Sequence, residues 1–221
     1  MQASVDKMLK VKQKIGFSNM FAVDACGKSG GICVLWSISV NVSVMEFNSQ
    51  VIASKVVKGY IVWHFVGFHG PSQHVKMQKA WEELGAILEA IDGLWMCLGD
   101  FNVILNEEEK EGGRIGSSST PNFLREIRFD LRAIDLGFYD SRFTWTNKCW
   151  GRNSIRERLD RGISNVSWRV LFPKAVIYHL GAIKSYHCPI MTDTQPVERF
   201  SYRPFRFEAR LDTRPRKLRG Y

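Results

Sequence analysis

At 221 residues the chain is long enough for one domain with a continuous core, and its 45% hydrophobic and 24% charged residues exclude global disorder and a fibrous repeat. The formal net charge of +9 favours polyanionic partners, nucleic acid first among them. The polar N-terminus lacks the apolar stretch of a secretory signal, and the longest apolar segments are too short to span a membrane. We therefore expect an intracellular protein, cytoplasmic or nuclear, with no membrane contact and no obligate protein partner.

Short runs of β-forming residues, bounded by polar residues or glycine, predict eight strands. They are Ile32–Trp36, Val42–Phe47, Val51–Val57, Tyr60–Val66, Leu94–Leu98, Phe143–Thr146, Ala175–Leu180 and Cys188–Met191. The cysteines are odd in number and form no CxxC pair, so we expect reduced core residues rather than disulfides or a zinc site. They are Cys26, Cys33, Cys97, Cys149 and Cys188.

Two amphipathic helices are predicted between these strands. The first ends before Gly93, and its apolar residues recur every three or four positions: Met77, Trp81, Leu84, Leu88 and Ile91. The second begins with Thr120 as the N-cap and Pro121 at the first helical position, and ends near Gly137. Its apolar stripe is formed by Leu124, Ile127, Leu131 and Ile134.

The order of these elements predicts an α/β (α+β) fold. Strands that pair consecutively, interrupted by helices that cross over, favour a four-layer sandwich of two packed mixed β-sheets flanked by helices. Between Leu98 and the second helix, the polar segment Asn106–Ser119 is rich in glutamate and is predicted to be a mobile surface loop. We expect residues 1–194 to form the domain. Residues 195–221 are expected to form a basic linker or arm, or else a truncated stub.

A carboxylate and an amide follow the apolar strand that ends at Leu98. Asp100 and Asn102, in the sequence Gly-Asp-Phe-Asn, stand where a strand ends and where folds of this class place ligands. The alternative is a tight turn, because glycine, aspartate and asparagine are all turn residues. Because Asp100 and Asn102 follow a buried strand, we consider this pair a candidate site.

Asp160 and His187 form a second candidate pair. An aspartate can hold a histidine ring in one tautomer and support its charge. The alternatives are a structural role for His187 and a solvated salt bridge for Asp160, which stands between Arg158 and Arg161.

Several segments, taken in order, resemble the endonuclease/exonuclease/phosphatase superfamily, and specifically the plant endonucleases of LINE-type (non-LTR) retrotransposons. The resemblance covers nearly the whole chain. It is carried by KIGFSNMFAVDACGKSGGICVLW (14–36), GFHGPS (67–72), WMCLGDFNVIL (95–105), LGFYDSRFTWTN (136–147), ERLDRGISNVSWRVLFPKAVIYHL (157–180), SYHCPI (185–190) and RPFRFEA (203–209).

The resemblance implies nicking of a DNA phosphodiester, with a divalent metal, usually Mg²⁺, that activates water and neutralises charge on the phosphate. Asp100 would orient or deprotonate the water, and Asn102 would bond the phosphate or Asp100. His187 would contact the phosphate, oriented by Asp160, and Thr144 would lie near the pocket floor. The sequence leaves open whether Asp100 or His187 is the base. DNA is the expected partner, with RNA as an alternative.

The departures from the family fall on its catalytic positions. The family opens with strands that bear an asparagine and a metal-binding glutamate, and residues 1–7 contain neither, so we expect the first strands to be lacking. His69 replaces the family's pocket tyrosine, and Tyr186 replaces the acidic residue before the closing histidine. Glutamates 107–111 could serve as substitute ligands, but such runs are usually solvated.

These departures predict a degenerate and inactive copy in which Mg²⁺ binding is impaired. The alternatives are a non-catalytic nucleic-acid-binding module, served by a tail in which residues 198–221 hold eight basic and three acidic residues, and a phosphatase of small molecules. The FTW and RPFRFEA segments argue against the phosphatase. The tail is also the expected connection to a reverse transcriptase region.

Overall fold

The computed structural model of the chain describes residues 5–24, 31–113, 122–182 and 185–196. Within these ranges none of the helices is long and apolar enough to cross a membrane. The helices are α1 (Val5–Ile15), α2 (His74–Ala90), α3 (Phe123–Asp130) and α4 (Val166–Leu171).

Each of the eight predicted strands overlaps a strand of the structure. The strands are β1 (Asn19–Val23), β2 (Ile32–Trp36), β3 (Asn41–Phe47), β4 (Val51–Lys58), β5 (Ile61–His69), β6 (Trp95–Asp100), β7 (Lys110–Glu111), β8 (Ile134–Asp135), β9 (Tyr139–Asp140), β10 (Trp145–Thr146), β11 (Arg156–Glu157), β12 (Asp160–Ser164), β13 (Val176–His179) and β14 (Ile190–Asp193). The sequence missed β1, β7, β8, β9, β11 and β12. Strand β12 was missed because its charged first residues conceal a strand that is buried along its whole length.

A six-stranded sheet in the order β3-β4-β5-β6-β12-β8 forms the centre of the fold. Its pair β5 and β6 is parallel and its other pairs are antiparallel, so the sheet is mixed. Helices α2 and α3 cover one face of this sheet. Trp81 and Leu84 of α2 and Leu124 of α3 pack there against Phe68 and Cys97 of the sheet, and all five side chains are buried. Removal of this apolar surface from water stabilises the layer.

The opposite face of the central sheet packs against a second layer of strands. This layer contains the mixed sheet β14-β13-β9 and the antiparallel pair β1 and β2. Met96 of β6 contacts Ile177 of β13 and Trp168 of α4 within one buried cluster. Gly162 lets the layers approach closely, because a Cβ there would lie 2.8 Å from the Ile177 side chain. The predicted α/β sandwich of packed mixed sheets is therefore confirmed.

The predicted second helix is shorter at its C-terminal end than the sequence indicated. Thr120 and Pro121 lie outside the described residues, and the observed N-cap is Asn122, whose side chain accepts a hydrogen bond from the Arg125 amide. Helix α3 ends at Asp130 rather than near Gly137, because Arg132 adopts a left-handed conformation with φ of 50°. The apolar spacing then continues on a strand, where Ile134 pairs with Ser164. Strand pairing overrides the helical pattern here.

Residues 106–113 correct the prediction of a mobile surface loop. Glu107–Glu109 form a 3₁₀ turn, and Lys110–Glu111 pair with Arg156–Glu157 as part of the sheet β10-β11-β7. Residues 114–119 lie outside the described ranges. The prediction of core cysteines holds for Cys97 and Cys188, which are buried and free, and is corrected at Cys149, which is exposed. Cys33 is half-buried and free, and Cys26 lies outside the described residues.

Candidate active site

Three polar side chains stand in register at one end of the central sheet. His69 ends β5 and is paired with Asp100 at the end of the parallel strand β6. Asp160 begins β12 and is paired with Asp100 from the antiparallel side. Residues paired directly across strands project from the same face of a sheet. The topology therefore brings together three of the predicted site residues from distant parts of the chain.

His69, Asp100 and Asp160 form one row across the sheet, and glycines allow the ends of β5 and β6 to approach each other at this row. Gly99 has a φ of 154°, and a Cβ there would overlap the backbone carbonyl of Phe68 on β5. A Cβ at Gly70 would lie 2.7 Å from the carbonyl oxygen of Phe101. The Gly70 amide instead donates a 2.7 Å hydrogen bond to the Asp100 carbonyl. Close backbone packing is thus the physical reason for glycine before Asp100 and after His69.

Asn102 closes a turn that fixes the Asp100 carboxylate. Its φ is 52°, a left-handed conformation that asparagine tolerates better than most residues. Its backbone amide donates to Asp100 Oδ1 at 3.0 Å, and its side-chain amide donates to Asp100 Oδ2 at 3.1 Å and to the Gly70 carbonyl at 2.7 Å. The segment therefore forms the turn that was the alternative interpretation, and this turn holds the Asp100 carboxylate in place.

His187 reaches the row from a separate strand segment. It forms an isolated antiparallel bridge with Trp145 of β10. Its Nδ1 lies 2.9 Å from Asp160 Oδ2, and its Nε2 lies 3.8 Å from Asp100 Oδ2. His69 approaches Asp100 from the other side, with its Nε2 4.0 Å from Asp100 Oδ2. Two imidazoles thus flank one half-buried carboxylate, and a second carboxylate orients one of them.

Thr144 supports Asp160 through the backbone. Its hydroxyl accepts hydrogen bonds from the amides of Leu159 and Asp160, both at 2.9 Å, and its side chain is buried. Its carbonyl accepts a 2.8 Å hydrogen bond from the Cys188 amide, next to His187. Thr144 therefore links the segments that carry the aspartate and the histidine.

The surroundings of the site raise the pKa values of Asp100 and His187. Burial raises the pKa of the Asp100 carboxyl, and the neighbouring Asp160 charge raises it further, although His187, His69 and the Asn102 amide oppose this. The hydrogen bond to Asp160 raises the pKa of His187 above its ordinary value, and the charges of Asp160 and Asp100 add to it against the effect of burial. The site thus favours a protonated His187 and a carboxylate at Asp100 that readily accepts a proton.

Asp100, Asp160 and His187 could together hold a metal ion, because their ligand atoms lie within 4.8 Å of one another. Burial raises the pKa of the Asp100 carboxyl most, and repulsion from the neighbouring Asp160 charge raises it further. A divalent cation would relieve this repulsion through the carboxylate oxygens, which are the ligands that hard cations prefer. The donor set therefore fits a divalent metal.

A buried network of charges, not anticipated from the sequence, fixes β12 behind this site. Arg158 and Arg161 each contact Glu109 and Asp135 at 2.8–3.1 Å, so two guanidinium groups and two carboxylates alternate around a closed square. Arg161 is fully buried. Leu159 is also buried, and an apolar residue inside a charged run is the signal that could have revealed it.

The burial of Glu109 and Asp160 overturns two interpretations of the sequence. Glu109 was expected to lie in a solvated loop, and Asp160 had the alternative of an exposed salt bridge between Arg158 and Arg161. Glu109 and Asp160 are each only 9% exposed. Glu109 accepts hydrogen bonds from both arginines and from the Leu105 amide, so its oxygens are engaged in packing rather than available to a substitute metal site.

Comparisons of the fold give consistent results. The structure superposes on the endonuclease domain of TRAS1, a telomere-specific non-LTR retrotransposon, with a TM-score of 0.63 and 10% identity over 80% of each chain. It superposes on NExo from Neisseria, a 3′ phosphatase bound to a product DNA hairpin, with a TM-score of 0.62 and 14% identity over 87% of this chain and 85% of that one.

A third similar structure is D. rerio TDP2 complexed with a single-strand DNA product, with a TM-score of 0.54 and 13% identity over 85% of this chain and 78% of that one. No protein family and no curated protein matches the sequence. At these identities the superpositions define the architecture. The chain has the fold of the endonuclease/exonuclease/phosphatase superfamily.

Proposed function

We propose that this chain is a DNA-binding, nuclease-type domain related to the endonucleases of non-LTR retrotransposons, and that its phosphodiester hydrolysis is impaired. The observation that carries this proposal is the row of His69, Asp100 and Asp160, which are paired in register on three adjacent strands and completed by His187. The similar structures supply context, since their names include an endonuclease domain and two proteins bound to DNA.

In the proposed mechanism Asp100 orients a water molecule and accepts its proton. In the metal-free protein, burial and the neighbouring Asp160 charge raise the pKa of Asp100, which favours acceptance of a proton. Asn102 holds the Asp100 carboxylate through two hydrogen bonds, one from its backbone amide and one from its side chain. We therefore propose Asp100, rather than His187, as the base.

His187 has the complementary role of stabilising charge on the phosphate. Asp160 binds its Nδ1 and favours the protonated ring, so Nε2 is an N–H donor that can face a phosphate oxygen. Thr144 is a positioning residue for Asp160 through two backbone amides. His69, whose side chain is 41% exposed, is a second donor for the phosphate beside Asp100.

The metal we propose is Mg²⁺, which the carboxylates of Asp100 and Asp160 would hold. When bound, such an ion supplies neutralisation of charge on the phosphate and a lower pKa for bound water. His187 Nδ1 already bonds Asp160, so the two carboxylates supply most of the binding. Tyr186, in place of the family's acidic residue, is 56% exposed with Lys148 over its ring and offers no carboxylate. Weak metal binding is the proposed cause of the impairment.

The test is nicking of supercoiled plasmid with Mg²⁺ or Mn²⁺, combined with a DNA-binding assay on the same protein. We expect DNA binding, with nicking at most marginally above the metal-free background. Robust metal-dependent nicking that Asp100→Ala abolishes and Asp130→Ala preserves would show an active endonuclease and refute the impairment. Asp130 is the matched control because it is an exposed aspartate at the end of α3, away from the site. Absence of DNA binding would refute the nuclease-type function altogether.

A second candidate function is a non-catalytic nucleic-acid-binding module. The net charge of +9 and the surplus of arginine in residues 198–221 favour it. We expect affinity for DNA to fall as salt rises, and to fall further when residues 198–221 are deleted. Affinity that does not change with salt, or that survives the deletion unchanged, would contradict this candidate. Nicking data separate it from the first, because a pure binding module shows no metal-dependent product.

A further inference from the structure

The second layer of strands, which covers one face of the central sheet, is divided into two separate sheets. In the described part of the chain, β2 pairs only with β1, and β14 pairs only with β13. Each of these two strands therefore has one edge whose N–H and C=O groups are not paired with a further strand. Such an edge is a ready template for the addition of another extended segment.

The free edges of β2 and β14 border the same part of the central sheet. Ile32 of β2 lies over β5, because a Cβ at Gly67 would be 3.5 Å from its side chain. Strand β9 follows the outer strand β8 after only residues 136–138, so β9 lies on the β8 side of β13. Strand β14, on the other side of β13, therefore lies toward β6 and β5. We name the space between the free edges of β2 and β14 the seam.

Two large apolar side chains form the floor of the seam. The strand register puts Phe65 of β5 and Leu98 of β6 on the face that points toward the second layer, together with Met96. Phe65 and Leu98 are both partly exposed, whereas Ile52 of β4 and Ser164 of β12, on the same face nearer its flanks, are fully buried. The inner face of a two-layer sandwich is ordinarily filled by side chains of both layers. Exposure at its middle therefore marks a place that a further strand can cover.

Residues 205–212 of this chain have the pattern that an occupant of the seam requires. An added strand turns every second side chain toward the floor, so its residues must alternate between apolar and polar. Phe205, Phe207, Ala209 and Leu211 alternate with Arg206, Glu208, Arg210 and Asp212. Strict alternation over eight residues is typical of a strand with one buried face. Pro204 precedes the segment, where it interrupts no strand pairing.

The same segment is tethered to one wall of the seam. Strand β14 ends at Asp193, whose carboxylate accepts a 2.9 Å hydrogen bond from the Gln195 amide in a turn. Residues 197–221 follow this turn and lie outside the described residues. Residues 194–204 are long enough for the chain to reverse and return beside β14. A short tether of this kind gives an effective concentration of about millimolar, so weak docking is sufficient to fill the seam.

We propose that residues 205–212 dock in the seam as an added strand beside β14, with their apolar face against Phe65 and Leu98. This inference goes beyond the proposed function, because it concerns neither the catalytic row nor hydrolysis. It divides the basic tail into two faces. The apolar face completes the second layer, and the outward Arg206 and Arg210 remain available to a polyanion.

Amide hydrogen exchange of the full chain without DNA, followed by mass spectrometry, tests the proposal. We expect the amides of residues 206–212 to exchange at least about tenfold more slowly than in a free peptide of the same sequence. The protection should persist at high salt, because salt does not screen apolar contact. Exchange at the rate of the peptide overturns the proposal.

Two other results would also overturn it. Protection that is lost at high salt would show that the arginines hold the tail by charge alone. Protection that appears only as the protein concentration rises would show that the segment docks on a second copy of the chain.

Adjacent substitutions in the tail test which face docks. Phe207→Ser removes a large side chain from the apolar face, so it should abolish most of the protection of residues 206–212. Glu208→Ser is the matched control, because it changes the next residue on the outward face and should preserve the protection. Equal protection in the two variants would contradict the strand pattern. Phe65→Ser, in the floor, should release the segment as well, and the comparison of the two tail variants stands even if Phe65→Ser does not fold.

Discussion

Asp100 and Asp160 lie directly opposite each other on β6 and β12, and one imidazole, that of His187, faces both carboxylates at 3.8 and 2.9 Å. Two like charges on adjacent strands of a buried sheet destabilise each other unless a cation lies between them. Here a protonated histidine performs that function. Protonation of His187 and binding of a metal are therefore two ways of stabilising the same pair.

Replacement of Asp160 should change the titration of His187. The hydrogen bond to Asp160 raises the pKa of His187, so we expect Asp160→Asn to lower the pKa of His187. NMR titration of the imidazole in metal-free buffer measures this change. The proton on His187 stabilises the folded protein fully below about pH 6.5, and this contribution is lost as pH rises through the folded pKa. Asp130→Asn should leave the titration unchanged. The same midpoint in both variants would contradict the electrostatic coupling.

Asp100→Asn should stabilise the metal-free protein and remove its response to metal. Since burial and Asp160 raise the pKa of Asp100, its ionised form opposes folding near neutral pH, and a neutral amide avoids this repulsion. Thermal unfolding with EDTA should therefore show a higher midpoint for the variant. Added Mn²⁺ should stabilise the original chain, by about 2.7 kcal/mol at one hundred times the Kd. An equal response to Mn²⁺ in both proteins would mean that the ion binds elsewhere.

The sequence predicted the strands better than it predicted the surroundings of the candidate site. Apolar strands such as Val51–Lys58 were visible because burial on both faces leaves few polar residues. Asp100 was a candidate because it directly follows a buried strand, and His187 was a candidate because an aspartate such as Asp160 can orient its ring. Glu109 was misjudged because a local pattern does not show that Arg158, 49 positions away, neutralises it. Helix α3 was overextended because β8 continues its apolar spacing.

Gly99→Ala should destabilise the fold strongly. A methyl group at this position would overlap the Phe68 carbonyl, and the φ of 154° is unfavourable for any residue with a side chain. We expect a loss of about 3 kcal/mol or more in the free energy of unfolding, measured in urea. Gly85→Ala is the matched control, because α2 is helical there and the nearest atom is 3.8 Å away. This control should gain about 0.5–1 kcal/mol. A neutral Gly99→Ala would contradict the close approach of β5 and β6.

Arg161→Met should test the buried square of charges. Removal of one arginine leaves Glu109 and Asp135 with one cation between them, and breaking a buried ion pair in this way typically costs about 3–5 kcal/mol. Lys79→Met breaks an exposed pair with Glu83 and should cost about 0–1 kcal/mol. Urea unfolding measures both.

The pH dependence of that variant separates charge from packing. Burial alone would raise the pKa values of Glu109 and Asp135, but bonds and charges from Arg161 and Arg158 outweigh it, so both values are lowered. Lowered carboxyl pKa values stabilise the fold above the ordinary acid range, and this contribution is lost as pH falls through the folded values. Arg161→Met should therefore lose less stability on acidification than the original chain. If the variant and the original chain lose the same free energy of unfolding between pH 7 and acidic pH, the network stabilises β12 by packing rather than by charge.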